Sequence, residues 1–233
     1  MARMTPRSWS DLVNDHDDAM TPIREWAAAA PFGVEILPCA PAEGQRTIEA
    51  LQVTTRSPLG ALAFHTGGLL IDDGWLRVLG AGSDRLPRAL DGWNGIGQNG
   101  LRCNEGLLVA DDAAGGFFAW FNEPRTVHYL APDTLKWEDL ERGYTHWLAS
   151  MLTEDLRKFY AELRWPGWQD EVRRLAGSHA MSFQPFLWSK GPPIEQRSRR
   201  SAPVEELWSL ALHLARELAD VPDGAQVEIK HTK

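Results

Sequence analysis

The chain has 233 residues, a mass of 26.1 kDa and a formal net charge of −8 at pH 7. Hydrophobic residues make up 43% of it and include eleven Trp, so the chain can bury a core and is not a disordered protein. No stretch approaches the roughly 18 apolar residues that a membrane helix requires, and the first residues lack the apolar run of a signal peptide. We therefore expect a cytoplasmic protein without membrane contact, folded as a single domain over residues 1–233.

The charge also limits the class of partner. Because 32 acids outnumber 24 Lys and Arg, the average field repels nucleic acid, and a basic protein partner matches the chain better. The two Cys cannot form the disulfide framework of a small secreted protein.

The first 30 residues carry the signals of a helical hairpin. Ser8 and Asp11 have the spacing of a capping box, and Thr21 precedes Pro22, a residue favoured at the first position of a helix.

Short apolar segments separated by turns occupy the middle of the chain. After an apolar run at 34–37 and a weak helix at 42–51, interrupted by Gly44, the segments typical of strands are 60–65, 69–71, 75–79, 107–110, 117–121 and 127–130. The turns are too short for crossover helices, so we expect an antiparallel meander of about five to seven strands, with 81–105 as a connection.

Residues 140–220 return to helical periodicity. Helices are expected at 144–152, 156–163, 168–176 and 204–218, with Gly177 as the left-handed cap of the third. Residues 178–201 contain three prolines and are expected to be mostly loop. On the last helix the apolar residues form one stripe: Val204, Leu207, Trp208, Ala211, Leu214, Ala215 and Leu218. Helices on both sides of a meander define an α+β fold.

One stretch matches a nucleotide-binding motif in its residue types and spacing. Residues 95–100 have the G-x-G-x-x-G spacing that holds a phosphate when it joins a strand to a helix. Here the stretch follows no strand and leads into the predicted strand 107–110, so we interpret it as a loop and expect no cofactor.

Two acid pairs, Asp72-Asp73 and Asp111-Asp112, stand at predicted strand ends. Paired carboxylates can hold a metal or divide acid and base roles, but aspartate near glycine is also typical of turns. We interpret both pairs as turn residues on an acidic surface, where Asn at all four positions weakens a partner without unfolding the protein.

The sequence indicates neither a metal site nor a catalytic residue. Neither Cys nor any His has the spacing of a metal ligand set. Cys103 could act as a nucleophile only if the fold brings a base to it, and a small buried Cys is the alternative.

The densest basic cluster, Arg197, Arg199 and Arg200, lies in the predicted loop 178–201. Its guanidinium groups either bind a partner's carboxylate or phosphate, or pair with the chain's own acids and hold the loop in place.

Four Trp, at positions 9, 75, 93 and 137, lie near predicted turns or element ends. Any of Trp9, Trp75, Trp93 and Trp137 that is exposed would be a good anchor for a partner.

The middle third of the chain resembles the SUKH superfamily. The segment 107–119 combines an apolar strand, an acidic glycine turn and an aromatic strand, and Val127-His128-Tyr129, Trp137 and a helix follow in the order typical of that superfamily. Nearly the whole chain resembles a bacterial family known only as a domain of unknown function. The segments that carry this second resemblance are Leu51 to Gly60, Gly74 to Arg77, Arg164 to Trp168 and Gln196 to Arg200.

The SUKH resemblance implies an α+β binding module, used in bacteria as an immunity protein that neutralises a toxin domain, often a nuclease. It implies no catalytic residue. We therefore predict a non-enzymatic protein-binding module, with an enzyme that uses an acidic or arginine-lined pocket on the sheet as the alternative. The predicted partner-binding residues are Asp72, Asp73, Trp75, Asp111, Asp112, Trp137, Arg197, Arg199 and Arg200.

Overall fold

A computed structural model describes residues 6–98, 102–219 and 221 of the chain. Within these residues seven strands form one antiparallel sheet, in which each strand pairs with the next one along the chain. They are β1 (Val34–Leu37), β2 (Gly68–Ile71), β3 (Leu76–Leu79), β4 (Gly106–Asp112), β5 (Phe117–Phe121), β6 (Val127–Leu130) and β7 (Trp137–Asp139). A separate hairpin pairs β8 (His179–Gln184) with β9 (Ser198–Pro203). The α+β class and the antiparallel meander predicted from the sequence are confirmed.

Helices precede, interrupt and follow the sheet. They are α1 (Trp9–Leu12), α2 (Met20–Ala29), α3 (Pro41–Leu51), α4 (Pro58–His65), α5 (Leu90–Asn94), α6 (Tyr144–Ser150), α7 (Asp155–Phe159), α8 (Trp168–Val172) and α9 (Val204–Glu217). None of these described helices is long and apolar enough to cross a lipid bilayer.

Both faces of the sheet are covered, because successive side chains of a strand point to opposite sides. On one face the Phe118 ring lies 5.3 Å from that of Trp147 in α6. On the other face Phe117 contacts Trp208 of α9, with ring centroids 5.0 Å apart. The sheet is therefore the middle layer between the helices around α6 and the β8–β9 hairpin with α9.

The segment 60–65, predicted as a strand, is instead part of helix α4. The Ser57 side chain accepts a hydrogen bond from the Gly60 N–H at 3.1 Å, and Pro58 starts the helix. Every residue from Pro58 to Ala63 is buried. An apolar run without a period looks the same in a buried helix and a buried strand, which explains the wrong prediction.

Two predicted loops contain regular structure. Residues 178–201 contain β8 and the first part of β9, which pair through their backbones although β9 is polar. The connection 81–105 includes α5, which ends at Gly95 in the left-handed conformation, with φ of 67°. The G-x-G-x-x-G stretch therefore starts as a helix cap, and its residues 99–100 lie outside the described part of the chain.

The predicted helix ends also need correction. Helix α2 begins at Met20, so Pro22 lies inside its first turn. Helix α1 packs mainly on α3, and α2 packs mainly on α4. The first two helices therefore do not pack against each other as the predicted helical hairpin requires. Helix α8 ends at Val172, and Gly177 is not a left-handed cap. Gly177 is needed instead for close packing, because a Cβ there would lie 1.9 Å from the Arg85 carbonyl oxygen.

Candidate functional site

Asp111 and Asp112 are buried on opposite faces of the sheet rather than displayed on an acidic surface. Their exposed fractions are 1% and 0%. Asp111 forms ion pairs with Arg77 and Arg88, whose side chains are also buried. Arg88 in addition donates a hydrogen bond to the Gly177 carbonyl at 2.8 Å. One carboxylate therefore balances two buried guanidinium groups and ties the sheet to the segment that follows α8.

Asp112 organises the turn between β4 and β5. Its Oδ1 accepts hydrogen bonds from the backbone N–H groups of Ala114 and Gly116, both at 2.9 Å. Its Oδ2 accepts from the hydroxyl groups of Tyr129 at 2.7 Å and Tyr160 at 3.1 Å. Burial raises the pKa of the Asp112 carboxyl, although these hydrogen bonds lower it. The predicted turn chemistry is present here, but inside the core.

The other acid pair lies in the turn between β2 and β3. Asp72 is buried and lies 2.7 Å from Arg164, whereas Asp73 is half-buried and binds Arg173 at 2.9 and 3.0 Å. Trp75 is fully buried. Its ring contacts those of Tyr160, Trp165 and Trp168. Asp72, Trp75, Asp111 and Asp112 are therefore core residues, which corrects their placement on a partner-binding surface.

The described residues contain no group of three or more His, Cys, Asp or Glu side chains that could hold a metal ion. Cys103 is buried, and burial raises the pKa of its thiol to about 11. Because the thiolate is the nucleophile, this environment disfavours covalent chemistry at Cys103.

Two of the three clustered arginines serve the fold. Arg199 donates hydrogen bonds to Glu171 at 2.8 and 2.6 Å, and its guanidinium lies 4.8 Å from the centre of the Trp165 ring. Arg197 binds four carbonyl groups of the β8–β9 loop, those of Pro185, Phe186, Ser189 and Pro192. Arg200 is exposed. Of the two alternatives for this cluster, internal pairing describes Arg197 and Arg199.

We expect Arg199→Glu to lower the free energy of unfolding by about 1 to 3 kcal/mol, because it removes charge-assisted hydrogen bonds and faces Glu171 with a like charge. Urea unfolding measures the change. Arg200→Glu, an exposed substitution on the same strand, is the matched control and should stay within about 0.5 kcal/mol of wild type. Equal effects of the two substitutions would contradict the internal role of Arg199.

A shallow apolar groove lies between α9 and the loop that joins β8 to β9. Helix α9 lines it with Leu207, Leu210, Ala211 and Leu214, and the loop lines it with Phe186, Leu187 and Trp188. All seven are half-buried. Of the residues of α9, only Val204 and Trp208 are buried, so the apolar stripe is wider than the surface on which the helix packs. The groove holds about 60 Å³, which is small for a metabolite site.

The edge of this groove that α9 forms carries acidic side chains. Glu206 precedes Leu210 by four positions and Glu217 follows Leu214 by three, so both are neighbours of the apolar row on the helix surface. Both glutamates are exposed. Near the other lining residues the charges are mixed. Asp133 neighbours Pro132 whereas Lys136 neighbours Leu135, and all of these positions lie outside α9. The groove thus combines an apolar floor with a negatively charged edge on the side of α9.

The four singled-out Trp differ in exposure. Trp9 is 37% exposed and stacks on Phe64 at 6.1 Å between ring centroids. Trp75 and Trp93 are buried. Trp137 is half-buried on the edge strand β7. The Trp that lines the groove, Trp188, was not predicted, although the wide apolar stripe on α9 was a signal for the groove.

Fold and groove together define an α+β protein with an antiparallel meander and an apolar groove that has an acidic edge. The chain belongs to the family described as "Protein of unknown function DUF2625", whose model matches residues 9–207. It is 40% identical over 210 residues to "Putative uncharacterized protein YbfG" of Escherichia coli K12, covering 88% of this chain and 95% of that protein. It is 34% identical over 203 residues to an "Uncharacterized protein" of Haemophilus influenzae, covering 83% and 89%. No solved structure matches the chain.

Proposed function

We propose that this chain is a non-enzymatic protein-binding module whose partner occupies the groove beside α9. The observation that carries the proposal is the row of Leu207, Leu210 and Leu214 opposite Phe186 and Trp188, which the described part of the chain leaves partly open to solvent. Half-buried apolar side chains that line one groove offer a surface that a partner can cover further. The family model ends at residue 207, so family membership alone does not assign the groove.

The occupant we propose is an amphipathic helix with an apolar row and Lys or Arg along its flank. A helix places anchors at three- and four-residue intervals, which is the spacing that Leu207, Leu210 and Leu214 present. The basic flank would lie against Glu206 and Glu217. The net charge of −8 supports the same sign of partner, because complementary charge accelerates association.

A second copy of the chain is a less favourable occupant. An antiparallel pairing that sets Leu207 against Leu214 of the other copy brings Glu206 of one copy near Glu217 of the other. Like charges placed together across an interface oppose association. We therefore propose a basic partner for the groove rather than a second copy of the chain.

We further propose that the helix belongs to a basic toxin domain, such as a nuclease, as the resemblance to the SUKH superfamily implies. The acidic edge and the net charge support it. If the partner is such a toxin, we expect a neighbouring gene to encode a basic toxin-like domain. The wild-type chain, but not a groove variant, should then protect cells from that toxin.

A designed peptide tests the groove. The probe is a 15-residue helix with Leu at three- and four-residue spacing and Lys on its flanks, and the counter-probe carries Glu in place of Lys. We expect one-to-one binding of the Leu/Lys peptide, weaker at high salt, and at least roughly tenfold weaker binding to Leu210→Glu. Leu210→Glu adds negative charge and therefore strengthens the electrostatic attraction to the basic peptide. A loss of binding must then come from the loss of the apolar contact.

Ser209→Glu is the control for that experiment. It adds the same charge at an exposed position on another side of α9 and should bind the Leu/Lys peptide as wild type does. Equal binding of the peptide to wild type and Leu210→Glu would contradict the groove. A concentration-dependent dimer that Leu210→Glu abolishes would assign the groove to a second copy instead.

The enzymatic alternative has less support at the predicted residues. Asp111 forms ion pairs with two core arginines, and Asp112 accepts hydrogen bonds from two tyrosines and two backbone N–H groups. Acids with these partners are not available to a substrate.

A further inference from the structure

A second, polar cleft of about 530 Å³ lies over the opposite end of the sheet from β7. Its floor is a cross-strand row of Glu35, Leu70 and Arg77, which are aligned in register on β1, β2 and β3. Its rim includes Arg85 and Arg173. Unlike the groove, this cleft has the volume of a small-molecule site and is lined by charged side chains.

Arg77 is the buried member of this lining, with an exposed fraction of 3%. Its terminal nitrogens are engaged by Asp111 and by the carbonyl groups of His179 and Asp112. Its Nε has no hydrogen-bond partner. The Nε atoms of Arg88 and Arg164 are likewise buried without a partner. A buried donor without a partner is costly, so an acceptor that reached Arg77 Nε would lower that cost.

The two arginines at the rim are held by exposed ion pairs. Arg85 pairs with Glu35 through Nη1, and Arg173 pairs with Asp73, with arginine side chains 60% and 54% exposed. Ion pairs of this exposure contribute little to stability. Arg173 also donates a hydrogen bond to Asp170 at 3.2 Å. An anion that enters the cleft would have to replace these acidic partners of the two guanidinium groups.

Two glycines that line the cleft have open space around them. A Cβ built on Gly33 or on Gly74 meets no atom within 4 Å, and both glycines line the cleft. A ligand can thus approach the backbone at both positions.

We propose that this cleft binds a small polar molecule that carries a phosphate or carboxylate group together with hydroxyl or amino groups. Arg77 lies on the floor, and Arg85 and Arg173 close on the anionic group from the rim. Glu35, Asp73 and Asp84, which also line the cleft, accept hydrogen bonds from the hydroxyl or amino groups. The site is separate from the α9 groove, so either proposal can fail alone.

Thermal unfolding at constant ionic strength tests the cleft, with inorganic phosphate, glycerol 3-phosphate and citrate as probes and glycerol as the neutral control. We expect at least one anion to raise Tm saturably, by roughly 5 to 10 °C at a hundredfold excess over Kd, and glycerol to leave it unchanged. No saturable rise with any of the three anions would overturn the proposal. The double variant Arg85→Gln/Arg173→Gln should weaken binding at least roughly tenfold.

Gly33→Leu supplies the decisive variant, because it fills the cleft without displacing any atom near its Cβ. It should keep the wild-type Tm without ligand and lose the rise. Gly92→Leu, at a glycine that also has open space around its Cβ but does not line the cleft, should keep the rise. A rise that is the same in Gly33→Leu as in wild type would place the anion elsewhere and overturn the proposal.

Discussion

Replacing Asp111 with Asn should lower the free energy of unfolding by about 3 to 5 kcal/mol. The carboxylate is the shared partner of Arg77 and Arg88, and all three side chains are buried. Removing one member of a buried ionic network leaves the remaining charges without compensation in a medium of low polarity. The expectation from sequence, that Asn at this position leaves the fold intact, assumed an exposed turn and is corrected by the burial of Asp111. Urea unfolding followed by Trp fluorescence measures the loss.

Asp73→Asn is the matched control. Asp73 lies in the turn between β2 and β3 and pairs with Arg173, whose side chain is 54% exposed. We expect a change of at most about 1 kcal/mol. If Asp111→Asn stayed within the range of this control, the buried network would not hold the sheet to its covering layer as described.

Gly44→Ala should also destabilise strongly, by roughly 3 kcal/mol, although alanine favours helix. Helix propensity alone predicts a gain of about 0.5 to 1 kcal/mol for this change in α3. A Cβ at Gly44, however, would lie 2.1 Å from the Phe64 carbonyl oxygen of α4, which is backbone and cannot turn away. The two helices must separate, and overpacking of this kind is costly.

Gly92→Ala tests the same residue change where space is open. Gly92 lies in α5, and its added Cβ meets nothing within 4 Å. We expect it to be neutral or slightly stabilising. Chemical unfolding of both variants gives the comparison, and a stabilising Gly44→Ala would show that α3 and α4 do not pack as closely as the structure has them.

Much of the sheet was predictable because its turns are short. The segments 107–110, 117–121 and 127–130 are strands as expected, since Gly-rich and Asx turns between apolar runs leave room for hairpins alone. The segment 60–65 failed because a helix buried on all sides shows no period. Strand β9 was missed because its residues are polar and are held by pairing with β8 rather than by an apolar pattern of their own.

Less of the candidate site than of the sheet could be predicted from the sequence. That Asp111 and Asp112 point to opposite faces follows from strand alternation, but their arginine and tyrosine partners are remote in the chain. The stripe on α9 was visible, whereas the opposite wall of the groove was not. That wall is positioned by Arg197, through hydrogen bonds to carbonyl groups of its own loop that no local pattern encodes.

An NMR titration of the isotope-labelled chain with the Leu/Lys peptide locates the bound peptide residue by residue. We predict that the largest shifts of backbone amide signals map to α9 and to residues 186–188, and that they disappear with Leu210→Glu. Shifts centred instead on the turns at 72–75 and 111–116, or spread over the surface without saturation, would contradict a protein-binding groove beside α9.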